Sequence, residues 1–197
     1  MSDGEYEERV DQVDELITKL RANDRMVKRL GLDLEKWEDL SPWSNADDRA
    51  EIDGDVEKLC RALEGNSVVR KLDVGCGFSM EVAFERGANA IARALQRNRT
   101  VEDVTIYSES FSGVSGIPTV LGGLIGNHVV KKLIITGHCG DDEPPPEILG
   151  KSISRALAKV LPKTSIKELV LVDEAIDWEQ GLGLICVGFA RTRQSKF

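Results

Sequence analysis

One pattern recurs along this chain and limits what it can fold into. When Asn66, Asn98, Asn127 and Lys163 are aligned, Leu63, Leu95, Leu124 and Val160 fall three residues before them. Val69, Val101, Val130 and Ile166 fall three after, followed by Leu72, Val104, Leu133 and Leu169, and then by Val74, Ile106, Ile135 and Leu171. The stretch from Ala92 to Ile106 is the template. Its first half has a helical apolar face built on Ile91, Leu95 and alanines, and its second half alternates through Val101, Val104 and Ile106. Successive copies are spaced by 32, 29 and 36 residues. Such a period marks a solenoid, because one unit cannot bury its apolar face alone. The longest spacing contains the polar, proline-rich run from Gly140 to Pro146. Helices expected over Val82–Gln96, Ser115–Ile125 and Glu147–Leu161 separate the copies, so the strands run parallel with helices on one side of the sheet.

Ahead of the repeats, Val10, Val13, Leu16, Ile17 and Leu20 form a narrow stripe on an acidic helix over residues 5–21. A second helix is expected from Met26 to Leu40, on the spacing of Met26, Val27, Leu30, Leu34, Trp37 and Leu40, ending at Ser41-Pro42. Ser44 or Asn45 can cap a third, with Asp47 and Asp48 in its first turn and Ile52, Val56, Leu59, Cys60 and Leu63 on its buried face. The expected organisation is an acidic N-terminal helical segment or cap over 1–46, a solenoid over 47–191 and a tail over 192–197. Residues 177–191 read as a final helix or an extended edge, since Gly181, Gly183 and Gly188 weaken a helix.

Charge and cysteine usage narrow the function. The net charge is -8, and the first twenty residues alone carry -5, which argues against nucleic acid or an anionic membrane as the main partner. Cys60, Cys76, Cys139 and Cys186 form no C-x-x-C pair, so a reducing compartment with free thiols is expected and a zinc site is not. The N-terminal residues lack the basic start and apolar core of a signal peptide, and no run of about 18 apolar residues occurs. The expectation is a soluble cytoplasmic protein.

The aligned residues, ALxxNxxVxxLxV between helices, resemble leucine-rich repeats of the ribonuclease-inhibitor type, best in RALEGNSVVRKLDV and RALQRNRTVEDVTI. The resemblance covers residues 47–191. It implies a short α/β leucine-rich-repeat solenoid, with the parallel sheet concave and the helices convex. Where that family places Asn or Cys after the strand, this chain has Gly77, Glu109, His138 and Glu174. Tropomodulin-like actin-capping domains are similar at a coarser level, with leading helices, a few repeats and a final helix. A repeat scaffold of this class implies protein binding rather than one fixed activity.

Strand alternation then assigns the residues of the open face. Lys71, Asp103, Lys132 and Glu168 form one lateral column of alternating sign, suited to a self-paired ladder. Asp73, Thr105, Ile134 and Val170 form the next, and Gly75, Tyr107, Thr136 and Val172 the third. Polarity falls toward the last strands, where Tyr107, Ile134, Val170 and Val172 make an apolar patch of the kind that marks binding sites, unless the C-terminal stretch or residues 141–146 cover it. The expected partner-binding set is therefore Lys71, Asp73, Asp103, Thr105, Tyr107, Lys132, Ile134, Glu168, Val170 and Val172, with no catalytic, cofactor or metal residue. The rival is a small α/β enzyme with Cys76, Tyr107, His138 and Asp173 gathered at the strand C-terminal ends. His138-Cys139 offers a thiol-imidazole pair with no third group to orient it, and Gly75-Cys-Gly77 lacks the lysine of a phosphate loop. The Asn98-Arg-Thr100 sequon is read as a helix end in left-handed geometry.

Overall fold

The computed structural model describes residues 3–33, 46–75, 85–107, 116–136 and 147–172. Helix and strand alternate from the start: α1 (Asp3–Arg21), β1 (Arg29–Asp33), α2 (Ala46–Glu64), β2 (Lys71–Gly75), α3 (Glu85–Arg97) and β3 (Asp103–Tyr107). They continue as α4 (Gly116–Gly122), β4 (Lys132–Thr136), α5 (Glu147–Val160), a 3-10 turn at Leu161–Lys163 and β5 (Glu168–Val172). Among the described residues, the sheet has five parallel strands in the order β1-β2-β3-β4-β5, so each unit lies beside the next, as expected of a short α/β repeat solenoid.

The expected register holds across β2 to β5. Lys71 pairs with Asp103, Asp103 with Lys132 and Lys132 with Glu168; Asp73, Thr105, Ile134 and Val170 follow in the next column, and Tyr107, Thr136 and Val172 in the third. Leu72, Val74, Val104, Ile106, Leu133 and Ile135 are buried against the helices, while Leu169 and Leu171 of the last strand pack on the same core partly exposed. The helices supply the other layer through stripes at helical spacing, such as Val13, Ile17 and Leu20 in α1 and Ile153, Leu157 and Val160 in α5.

The structure corrects the N-terminal reading. Residues 29–33, expected inside a second helix, are strand β1, paired with β2 from Arg29 opposite Lys71 to Asp33 opposite Gly75. In Arg29-Leu-Gly-Leu-Asp33 the two leucines are buried while Arg29 and Gly31 are exposed, which is the alternation of a half-buried strand. Offering a whole row of backbone groups to the free edge of β2 outweighs a loose helical spacing that contains Gly31. The helix α1 with β1 is therefore a first helix-strand unit, 42 residues ahead of the second when Arg29 is counted to Lys71. The expected cap at Ser44 or Asn45 and the segment 177–191 lie outside the described residues.

A second correction concerns asparagine. Asn98 does not adopt left-handed geometry; the one non-glycine residue with positive φ among the described residues is Asn23. Asn66, Asn98 and Asn127 are instead buried, and each fastens its unit to the one before. The Asn98 amide donates to the carbonyls of Leu63 (2.7 Å) and Asn66 (3.0 Å), and its oxygen accepts from the backbone N–H groups of Thr100 and Val101, both at 2.8 Å. That uses both donors and both lone pairs of the side chain. Asn66 donates to Leu20 (2.7 Å) and Asn127 to Leu95 (2.5 Å) in the same way. Those carbonyls lie in the last turns of α1 and α3, and that of Leu63 in the last turn of α2, where helices leave acceptors unfilled. Each asparagine thus closes the helix of the preceding unit.

Helices α3 and α4 meet at Gly123, just past the end of α4. A β-carbon there would lie 2.3 Å from the backbone oxygen of Ala92, so the close approach requires glycine.

Candidate functional site

The face of the sheet away from the helices carries every expected partner-binding residue, and the parallel register brings them together in three columns. Strand β1 extends those columns with Arg29 and Gly31. Arg29 is the member that the sequence reading missed. The signal was available in the alternation of Arg29, Gly31 and Asp33 with Leu30 and Leu32, which matches Lys71 to Gly75.

The first three strands present a polar, paired surface. The Arg29 guanidinium bonds to the Asp73 carboxylate on the neighbouring strand, and that bond, with the attraction of the charge, raises the Arg29 pKa above its ordinary value. Asp73 is only 8% exposed, so this pairing is what makes its burial tolerable. Lys71 pairs with Asp103 at 3.7 Å, and beyond them Lys132 pairs with Glu168 at 2.6 Å. The column of alternating sign is therefore self-paired, although exposed pairs of this kind contribute only about 0.2–1 kcal/mol each.

Beyond Thr105 the middle column turns apolar. Ile134 and Val170 are half-buried register partners, and Val172 is 38% exposed on the outer strand. Tyr107, also 38% exposed, lies with its ring toward β2, since a β-carbon on Gly75 would stand 3.1 Å from its Cδ2. Gly75 thus makes room for the ring, and the tyrosine closes the polar end of the face. Met26 is the other large hydrophobic residue that is exposed among the described residues.

Of the four residues proposed for an enzyme site, Cys76, His138 and Asp173 lie outside the described residues, as do Cys139 and residues 141–146. Among the described residues, no group of three His, Cys, Asp and Glu side chains is placed to hold a metal ion, and no helix is long and apolar enough to cross a membrane. Cys60 is a buried free thiol of α2, and its loss of solvent pushes its pKa up to about 12.

Comparison with known proteins gives a fold. The chain is similar to the leiomodin-1 actin-binding site 2, with a TM-score of 0.50 at 18% identity, over 93% of this chain and 92% of that one. It is also similar to the tropomodulin C-terminal domain of Caenorhabditis elegans, with a TM-score of 0.50 at 10% identity, over 93% of this chain and 95% of that one. No protein-family model and no curated protein sequence matches. The shared architecture is the short parallel repeat solenoid of tropomodulin-like domains.

Proposed function

We propose that this chain is a non-enzymatic interaction module that docks a protein partner on the open face of its sheet, centred on β4 and β5. The observation that carries this reading is the change along the middle column from Asp73 and Thr105 to Ile134 and Val170. Apolar side chains on the outer side of a sheet add nothing to the repeat's own core, whereas they lower the cost of desolvation when a partner covers them. The surrounding pairs, Lys71 with Asp103 and Lys132 with Glu168, form the polar rim that fixes orientation. Five strands about 4.8 Å apart and about 17 Å long offer only a few hundred Å2, against about 800 Å2 per side for a stable complex. The partner therefore also touches adjacent loops or helices.

We assign the units to the ribonuclease-inhibitor type on their strand-plus-helix composition and their spacing, and place the chain in a reducing, cytoplasmic setting on its free thiol Cys60. Affinity capture with the immobilised chain, followed by identification of what co-purifies, tests the main reading. Val170→Glu abolishes that capture with an unchanged circular dichroism spectrum; undiminished capture contradicts the reading.

The likeness to the leiomodin-1 actin-binding site over nearly the whole chain favours one specific partner, actin. Co-sedimentation of the chain with filamentous actin tests it. Absence of co-pelleting removes actin and leaves the docking face open to another protein.

A further inference from the structure

The formal charge of -8 conceals a sorting of charge by position in the repeat. The ten residues that lead into each strand, 19–28, 61–70, 93–102, 122–131 and 158–167, hold thirteen of the 26 Lys and Arg but three of the 34 Asp and Glu. Their net charge is +10, which leaves -18 on the rest of the chain. These segments are lateral neighbours. The N–H of Arg70 donates to the Lys28 carbonyl, that of Glu102 to Arg70 and that of Lys131 to Glu102, each at 2.8 Å, and that of Lys167 to Lys131 at 2.7 Å. The residues just ahead of the strands thus form one row, Lys28, Arg70, Glu102, Lys131 and Lys167, along the strand-entry edge of the solenoid.

Stability accounts for only part of this row. Basic residues in a helix's last turn complement its dipole, which explains Lys19, Arg21, Arg61, Arg97 and Lys159. Arg99 likewise bonds the Gln96 carbonyl in the last turn of α3 at 3.1 Å, while Arg70 reaches the Thr100 carbonyl at 3.0 Å and Lys131 the His128 carbonyl. Arg25, Lys28 and Lys167 follow the helix ends and fall outside that explanation. Among the described residues, no carboxylate pairs with Lys28, Arg70, Lys131 or Lys167, whereas the adjacent column is neutralised by its own pairs. Gathering unpaired like charge on one edge costs the fold self-repulsion.

We infer that the strand-entry edge is a second docking surface, and that its occupant is an acidic segment of a partner protein. Five row positions about 4.8 Å apart span about 19 Å, the length of about six extended residues. An apolar anchor stands at one end: Met26 is 87% exposed, and its backbone N–H is held by the Asp24 carboxylate at 2.9 Å. Methionine and arginine are the residues that protein interfaces favour. The five segments contain no Trp, Tyr or Phe, so they lack the stacking platforms of single-stranded nucleic acid binders and the aromatic belt of a membrane surface. The surface is separate from the open face of β4 and β5 and does not depend on it.

The test uses the full chain and a fluorescein-labelled decapeptide of eight glutamates and two leucines, followed by fluorescence anisotropy. The triple variant Lys28→Glu, Arg70→Glu, Lys167→Glu binds the peptide at least tenfold more weakly than the unaltered chain. A second triple, Lys58→Glu, Arg86→Glu, Arg155→Glu, changes net charge equally away from the edge and stays within twofold. Met26→Ser weakens binding about threefold, and Val170→Glu does not. The inference is overturned if the unaltered chain does not bind the peptide, if both triples weaken it equally, if Val170→Glu weakens it, or if an oligodeoxythymidylate of the same charge binds more tightly than the peptide. Circular dichroism of each variant checks that it folds, and a folded single variant Lys28→Glu, expected to weaken binding about threefold, replaces a triple that does not.

Discussion

The open faces of β1–β3 and of β4–β5 are cut from one template and share a column of ion pairs, but their middle column changes from polar to apolar. In the first, Arg29 meets Asp73 and Lys71 meets Asp103; in the second, Ile134 and Val170 lie side by side with Val172 at the rim. The inward positions, such as Leu72, Val104 and Leu133, barely differ between the two. Packing against the helices dictates those, while the outward ones contribute little to the fold beyond their ion pairs. What varies between repeats is therefore where function is to be sought, and what repeats is architecture. The buried asparagine follows the same divide, because it occurs at Asn66, Asn98 and Asn127 and is replaced by an exposed lysine, Lys163, ahead of β5.

The largest effect that would break this contrast belongs to the asparagines. Asn98→Ala leaves the N–H groups of Thr100 and Val101 without their acceptor and takes one of two donors from the carbonyls of Leu63 and Asn66, and is expected to cost about 2 kcal/mol in urea unfolding, whereas Lys163→Ala costs less than about 0.5 kcal/mol. Equal losses at the two positions would mean that the asparagine relay does not hold the early units together. Gly123→Ala, at the junction of α3 and α4, forces a β-carbon onto the Ala92 backbone and is expected to cost about 2 kcal/mol by thermal unfolding. A change under about 0.5 kcal/mol would show that the two helices separate freely there.

Smaller effects sharpen the comparison. A double-mutant cycle on Lys132 and Glu168, an ion pair that bridges β4 and β5, is expected to give a coupling of about 0.5 kcal/mol that vanishes in high salt. A coupling that survives high salt would place the pair in a dry setting. Cys60 gives the smallest effect near neutrality. Its pKa rises from the ordinary 9.0 to about 12 on burial, so its stabilising contribution is complete below pH 9.0 and is lost as pH climbs through about 12. A maleimide at pH 8 accordingly leaves Cys60 unlabelled in the native chain and labels it in denaturant.

Much of this architecture was legible in the amino-acid sequence. Four strands and their mutual register followed from the columns of Leu72, Val104, Leu133 and Leu169 and their neighbours, because a period of two and a recurring unit leave little freedom. Strand β1 escaped because Met26, Val27, Leu30 and Leu34 also fit a helical spacing, and a five-residue strand is too short to outvote it from local pattern alone. Asn98 was legible as a helix-terminal residue but not as a tie between units, since its partners Leu63 and Asn66 are 35 and 32 residues away. For the docking face, the sequence supplied the outward residues, and the paired network of Arg29 with Asp73 needed three-dimensional placement of β1.

The most direct trial of the central claim compares two single substitutions of the open face in the same capture experiment. Val170→Glu charges the apolar half and Lys71→Glu reverses a charge in the paired half, and both residues lie on the outer side of the sheet. Loss of the captured partner with Val170→Glu and its retention with Lys71→Glu is the expected result. Retention with Val170→Glu in a folded chain would contradict the account.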